Sequence, residues 1–266
     1  MTVPNISDSF LRGPAPNATL HKLDFERTSP PIPEYKGHFA AIVDNFMTEA
    51  ECKELVRLAE ESTRSQLPDS TLSPPYGNMQ WSTPAAADKI LDRMMPFMRE
   101  CELDRVQRKP LVTGLGPAKR GEVLCLSRLN ERLRFLQKSL YTIHLYLNGE
   151  GEQDMEELLP HIERAENTNL LFAKNWEINL AEVESEEAEV GDGSCTSATE
   201  SLEKNEALLG GATSFMAGLN WRESLRVFPK TGSVLIFQQR NLFHGGDDVF
   251  RGVKYTLRTD VMYTTE

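Results

Sequence analysis

PKTGSVLIFQQRNLFHGGDDVFRGVKYTLRTDVMY, residues 229–263, is the stretch from which the fold is read. It holds two strand-like runs, 233–237 and 254–263. A turn between them carries His244, followed by Gly245, Gly246, Asp247 and Asp248. After Ser233 the first run is continuously apolar, as in a buried strand. In the second, side chains alternate with period two, so Lys254, Thr256, Arg258 and Asp260 share one face. A histidine can ligate a metal. A cation with a hydroxyl two residues on can grip a carboxylate.

Upstream, LLGGATSFM (208–216) leads a glycine pair into a strand, and SLYTIHLYLN (139–148) holds another. Alternation puts His144 on one face with Thr142 and Tyr146, and it reads as a structural histidine. Earlier still, AIVDNFMTEAECKELVRLAEES (41–62) joins a short apolar strand, 38–43, to a helix. Thr48 is its N-cap, and Glu51 completes a capping box. Cys52, Leu55, Val56, Leu58 and Ala59 form its apolar face. Thr83 and Pro84 open a second helix that runs to about Cys101. Pro96 is expected to kink it or end it early, and Met94, Met95, Phe97 and Met98 read as core. Residues 102–121 read as loop and 133–136 as a short strand.

His244, Gly252, Lys254 and Thr256 together, with the cation ten residues after the histidine, resemble the prolyl 4-hydroxylase branch of the iron(II)/2-oxoglutarate dioxygenases. The strand ending in Tyr146, Leu147 and Asn148 is similar to that family's central strand. LLGGATSFM is close to its GGxTxF signature, and the strand and capped helix at 41–62 are similar to its opening. The resemblance implies an α+β fold: a double-stranded β-helix, or jelly roll, backed by N-terminal helices. It implies hydroxylation of an unidentified peptide or small molecule, with 2-oxoglutarate converted to succinate. Iron(II) and 2-oxoglutarate are the implied cofactors, with ascorbate a family habit. His244 would be an iron ligand, Lys254 the clamp on the 2-oxoglutarate carboxylate, Thr256 its helper and Arg258 the runner-up clamp. No catalytic residue is implied beyond the metal site.

The family also needs a His-x-Asp pair before the central strand, and this chain has none. Only Gln137, Lys138 and Ser139 separate the 133–136 run from the next strand. Three explanations follow. An internal segment has been lost, by splicing or by an error in the predicted gene. Or the protein is a relative without catalysis that keeps a carboxylate pocket and acts as a binding or scaffold protein. Or other ligands, such as His144 or Glu163, rescue the site. His161 and Glu163 read instead as the surface of a helix.

The chain has 266 residues, a mean hydropathy of −0.42 and a net charge of −11. Residues 150–207 hold seventeen acidic and three basic residues, a balance of −14, which leaves the rest at about +3. The acidity therefore belongs to an insertion, 149–207, that starts helically near 155–164 and turns low-complexity. It interrupts a dioxygenase-like domain spanning 35–266, and residues 1–34 read as a disordered arm. No basic stripe points to nucleic acid, and no apolar run approaches a membrane span. Cys52, Cys101, Cys125 and Cys195 lack framework spacing and read as reduced. With no secretory leader legible, the expected location is cytoplasmic or nuclear.

Overall fold

A computed structural model describes residues 10–14, 17–64, 84–114, 121–130, 138–165, 207–217 and 224–266. It is a mixed α/β structure with few helices and one large, curled antiparallel sheet. Twelve strands are described: β1 Thr19–Lys22, β2 Ala40–Asp44, β3 Arg105–Val106, β4 Leu124–Leu129, β5 Lys138–Tyr146, β6 Leu209–Gly210, β7 Thr213–Phe215, β8 Leu225–Val227, β9 Val234–Gln238, β10 His244–Gly246, β11 Val249–Arg251 and β12 Thr256–Thr265. Seven pair in the order β1-β2-β9-β5-β12-β4-β3. The others form the smaller ladders β10-β7-β8 and β11-β6.

The VLIFQ run of β9 is buried throughout because layers cover both its faces. Val234 and Ile236, with Tyr141, Ile143 and Leu145 of β5 and Val261 and Tyr263 of β12, pack on two helices, α1 (Glu49–Arg64) and α2 (Pro84–Glu100). Those helices supply Cys52, Leu55, Ile90, Met94 and Met98. The alternate residues Leu235, Phe237 and Tyr146 pack on the other side, against Phe215, Val227 and Leu242 around the short ladders. The period-two pattern thus becomes two cores on opposite faces of one sheet.

The capping box forms as read. The Thr48 N–H donates to Glu51 Oε2 at 2.9 Å, and the Glu51 N–H donates to Thr48 Oγ1 at 3.2 Å. Glu51 also receives two hydrogen bonds from the Arg93 guanidinium, at 2.8 and 2.9 Å, which tie α1 to α2. Met94 and Met98 of α2 are core, as expected, and Phe97 packs against them, but Met95 is only partly buried and stands outside that cluster. Thr83 and the 133–136 strand lie outside the described residues, as does most of the acidic insertion. Its start, 155–165, is helical.

Several expectations need correction. Much of the 1–34 segment is built into the fold rather than a loose arm. Its residues 19–22 are β1, and Phe25 and Ile32 are buried in the second core. The polar look of that segment hid two apolar anchors. Pro96 does not end α2, which runs on to Glu100. Met94 and Met98 are fully buried on either side of it, and that packing outweighs one missing backbone donor. Residues 102–121 contain β3 and a short helix, α3 (Pro110–Thr113), and β4 follows them. Lys254 stands just before β12, not within it.

One connection is unusually short. β4 and β5 flank β12, and both run antiparallel to it, so they are parallel to each other. Residues 130–137 are all that join them. Crossovers between parallel strands ordinarily take about a dozen residues or more.

Candidate carboxylate site

The face of β5 and β12 that turns toward the short ladders is polar. Cross-strand register pairs Tyr146 with Thr256, His144 with Arg258, and Thr142 with Asp260. The last pair is closed, since Thr142 Oγ1 donates to Asp260 Oδ1 at 2.9 Å. The other two pairs open onto the centre of the site. Thr256 Oγ1 is buried with no hydrogen-bond partner. Lys254 lies on the same side, its Nζ 5.8 Å from the centre of the Tyr146 ring. Arg258 is exposed. Neither cation has a carboxylate partner among the described residues.

Thr213 on β7 closes one wall. Its Oγ1 lies 2.7 Å from the Tyr146 hydroxyl and 3.2 Å from His144 Nδ1. Whichever tautomer the imidazole adopts, its Nε2 is left buried without a partner. Phe237 forms the floor, with its ring centre 5.2 Å from that of His144 and 4.5 Å from that of His244. His244 Nδ1–H donates to the Leu242 carbonyl at 2.8 Å, so its Nε2 carries the free lone pair.

The electrostatics follow from this crowding. Burial, then the nearby Arg258, Lys254 and His244, lowers His144 to about 3. Burial lowers Lys254 too, against the Asp247 carboxylate, which raises it. A bound carboxylate would relieve both effects and satisfy the Thr256 hydroxyl. An unsatisfied buried hydroxyl costs about 1–3 kcal/mol.

His144 therefore makes stability depend on pH, with a definite sign. The unfolded chain takes up this proton near pH 6.5, while the folded chain resists it down to about 3. Stability falls as pH drops through that window, by up to about 1.4 kcal/mol per pH unit. In urea unfolding at pH 7, 6 and 5, His144→Phe should flatten the profile by about that slope. Parallel profiles for the two proteins would show that His144 is not the group responsible.

The structure gathers the residues singled out in the sequence, Lys254, Thr256, Arg258 and His244, around His144. Among the described residues it does not supply an iron centre: no three His, Cys, Asp or Glu side chains stand close enough to share a metal ion. Glu163 is exposed on helix 155–165, where His161 stacks near Phe250. Asp247 accepts from Ser214 Oγ at 2.6 Å and Arg226 Nε at 3.1 Å, which pins the end of β10. Two imidazoles with no carboxylate ligand beside them would not hold iron(II) firmly against water, so the described residues do not fit that metal.

Thr213, Phe237 and Tyr35 were given no role from sequence. Thr213 lies within the quoted LLGGATSFM stretch, and its alternation with Phe215 was the available signal. Tyr35 gave no signal, yet its hydroxyl accepts from the Phe243 N–H at 3.1 Å and donates to the Met216 carbonyl. It thereby clamps the turn that leads into His244. Two surface clefts, of about 410 and 490 Å3, lie elsewhere, and neither is lined by a lysine or a histidine.

No family model matches the chain, and no curated protein matches it. Among the described residues, no helix is long and apolar enough to cross a membrane.

Proposed function

We propose that the chain is a jelly-roll protein of the iron(II)/2-oxoglutarate dioxygenase type whose retained role, in the sequence as it stands, is to bind a 2-oxo dicarboxylate such as 2-oxoglutarate without iron. The observation that carries this reading is the buried, partnerless Thr256 hydroxyl, set beside two cations that lack carboxylate partners. Lys254 supplies the charge and Thr256 a hydrogen bond, while Arg258 guards the open side. Such charge-assisted bonds are about twice as strong as neutral ones. A protein of this kind is a binding or scaffold protein. Its free Cys52, Cys101 and Cys125 suit a reducing compartment, cytoplasmic or nuclear.

The test is calorimetric titration with 2-oxoglutarate. Lys254→Ala should weaken binding at least about tenfold, the loss of one charge-assisted contact. Thr256→Val keeps the volume and should weaken it less. Equal affinity in wild type and Lys254→Ala would remove the pocket from the account.

A second reading is favoured by the short connection between β4 and β5. In it, a longer form of the protein carries extra residues between positions 136 and 139. These supply the remaining iron ligands, and that form hydroxylates a substrate while releasing succinate. Reading the transcript across this junction decides it. Extra codons encoding a His-x-Asp support the hydroxylase, and their absence sinks it.

A further inference from the structure

Tyr146, Thr213 and His144 form a relay of side chains between β5 and β7. The Tyr146 hydroxyl lies 2.7 Å from Thr213 Oγ1, which lies 3.2 Å from His144 Nδ1. Tyr146 and Thr213 are buried, and among the described residues neither side chain has a further hydrogen-bond partner. The imidazole is neutral at pH 7, since burial and its neighbours hold it at about 3. One ring nitrogen therefore carries a single proton, and hydrogen counting decides which.

With the proton on Nε2, Tyr146 donates to Thr213 and Thr213 donates to Nδ1. Both hydroxyl hydrogens then have acceptors, and the Nε2–H alone is left over. With the proton on Nδ1, that N–H must donate to Thr213. Either the Tyr146 or the Thr213 hydrogen is then stranded, because each hydroxyl can only point at the other. The Nε2 lone pair is stranded as well. Two buried unsatisfied groups cost more than one, so the Nε2–H tautomer is favoured. The rings of Phe237 and Tyr146 meet the imidazole nearly at right angles, with centres 5.2 and 6.4 Å away, and hold it in place.

Across the β5–β12 register, Thr256 stands opposite Tyr146 and Arg258 opposite His144. Thr256 and His144 are thus diagonal neighbours on one face, and such neighbours lie about 7–8 Å apart. Each brings a buried polar atom without a partner, Thr256 Oγ1 and His144 Nε2. One small ligand can bridge that gap.

We propose that His144, held as the Nε2–H tautomer by Thr213, reads the 2-oxo oxygen of the bound dicarboxylate. The proposal rests on the carboxylate site described above. With one carboxylate on Lys254 and Thr256, a ligand lying along β12 brings its oxo end to the His144–Arg258 pair. The Nε2–H there can only donate, so it selects an oxygen acceptor. A dicarboxylate without the oxo group leaves that N–H stranded, which is where a buried site discriminates strongly. His144 is thus a specificity-determining residue rather than a charge clamp.

Two measurements on the full chain test this. The first needs no ligand. In 15N-labelled protein at pH 7, long-range 1H–15N correlation shows which ring nitrogen of His144 is protonated, and His144→Phe assigns its signals among the five histidines. The Nε2–H form is expected, and the Nδ1–H form would overturn the proposal. The second is calorimetric titration with 2-oxoglutarate and with glutarate, which lacks only the oxo oxygen. Wild type should prefer 2-oxoglutarate at least about tenfold. His144→Gln, whose amide offers an N–H at similar reach, should keep most of that preference. His144→Phe should lose it, and Thr213→Val, which breaks the relay, should reduce it. Equal affinity of wild type for the two ligands would overturn the proposal and leave the carboxylate site standing. So would an unchanged preference in either His144→Phe or Thr213→Val. Binding of neither ligand would remove the carboxylate site itself, and the proposal with it.

Discussion

Phe237→Ala should lower stability by about 3–5 kcal/mol, the range for deleting a buried aromatic ring. The ring is fully buried. It meets Phe215 at 5.5 Å between centres, as well as both site histidines, so its loss removes aromatic contacts beyond the area term. The strand around it, β9, sits between β2 and β5 and cannot shift to fill the cavity without breaking two ladders. Urea unfolding would show the midpoint falling with the slope unchanged. In the fraction that remains folded, 2-oxoglutarate binding should weaken as well, since His144 and His244 lose their common floor. A loss below about 1 kcal/mol would mean the two cores are not joined through β9 as described, because even a buried methylene is worth about that much.

Glu51→Gln should cost about 3 kcal/mol, toward the lower end of the range for breaking a buried ion pair. The Arg93 side chain is only 3% exposed, and Glu51 is its only carboxylate partner among the described residues. Glu51 is 20% exposed, which places the effect below that of a fully buried pair. The capping box weakens too, since Gln offers a neutral acceptor to the Thr48 N–H. Burial raises the Glu51 carboxyl, but the hydrogen bonds from Arg93 and Thr48 outweigh it and hold the group below the usual carboxylate range. Its contribution is therefore present above about pH 4.5 and is lost as pH falls further. In thermal melts at pH 7, 4 and 3, the gap between wild type and variant should narrow toward the acid end. A constant difference across these pH values would show that the charge of Glu51 contributes nothing.

The parts of the fold that could be read from sequence are those where one local signal suffices. The apolar run of β9 and the alternation of β5 and β12 placed three central strands. The Thr48–Glu51 spacing placed the start of α1. What stayed hidden depended on long-range partners. β1 reads as polar, and only its pairing with β2 makes it a strand. β4 has no clean alternation and is held at the far side of β12. Pro96 looked like a kink or a stop because a local rule was set above the core packing of its neighbours Met94 and Met98, which holds the helix through it. At the site, the face shared by Thr256, Arg258 and Asp260 followed from period two. The opposing wall, Thr213 on β7, and the floor, Phe237 two strands away on β9, could not, because only the fold brings those strands to this face. His144 was read as structural. Its burial agrees with that, but its partnerless Nε2 also sets it at the centre of the charged cluster.

The most direct measurement is calorimetric titration of the purified full chain with 2-oxoglutarate in buffer containing a metal chelator, then again with iron(II) added anaerobically. The account predicts saturable one-site binding in chelator, little changed by iron. Binding that appears only with iron would contradict it, because it would require a metal centre that the residues in place do not form.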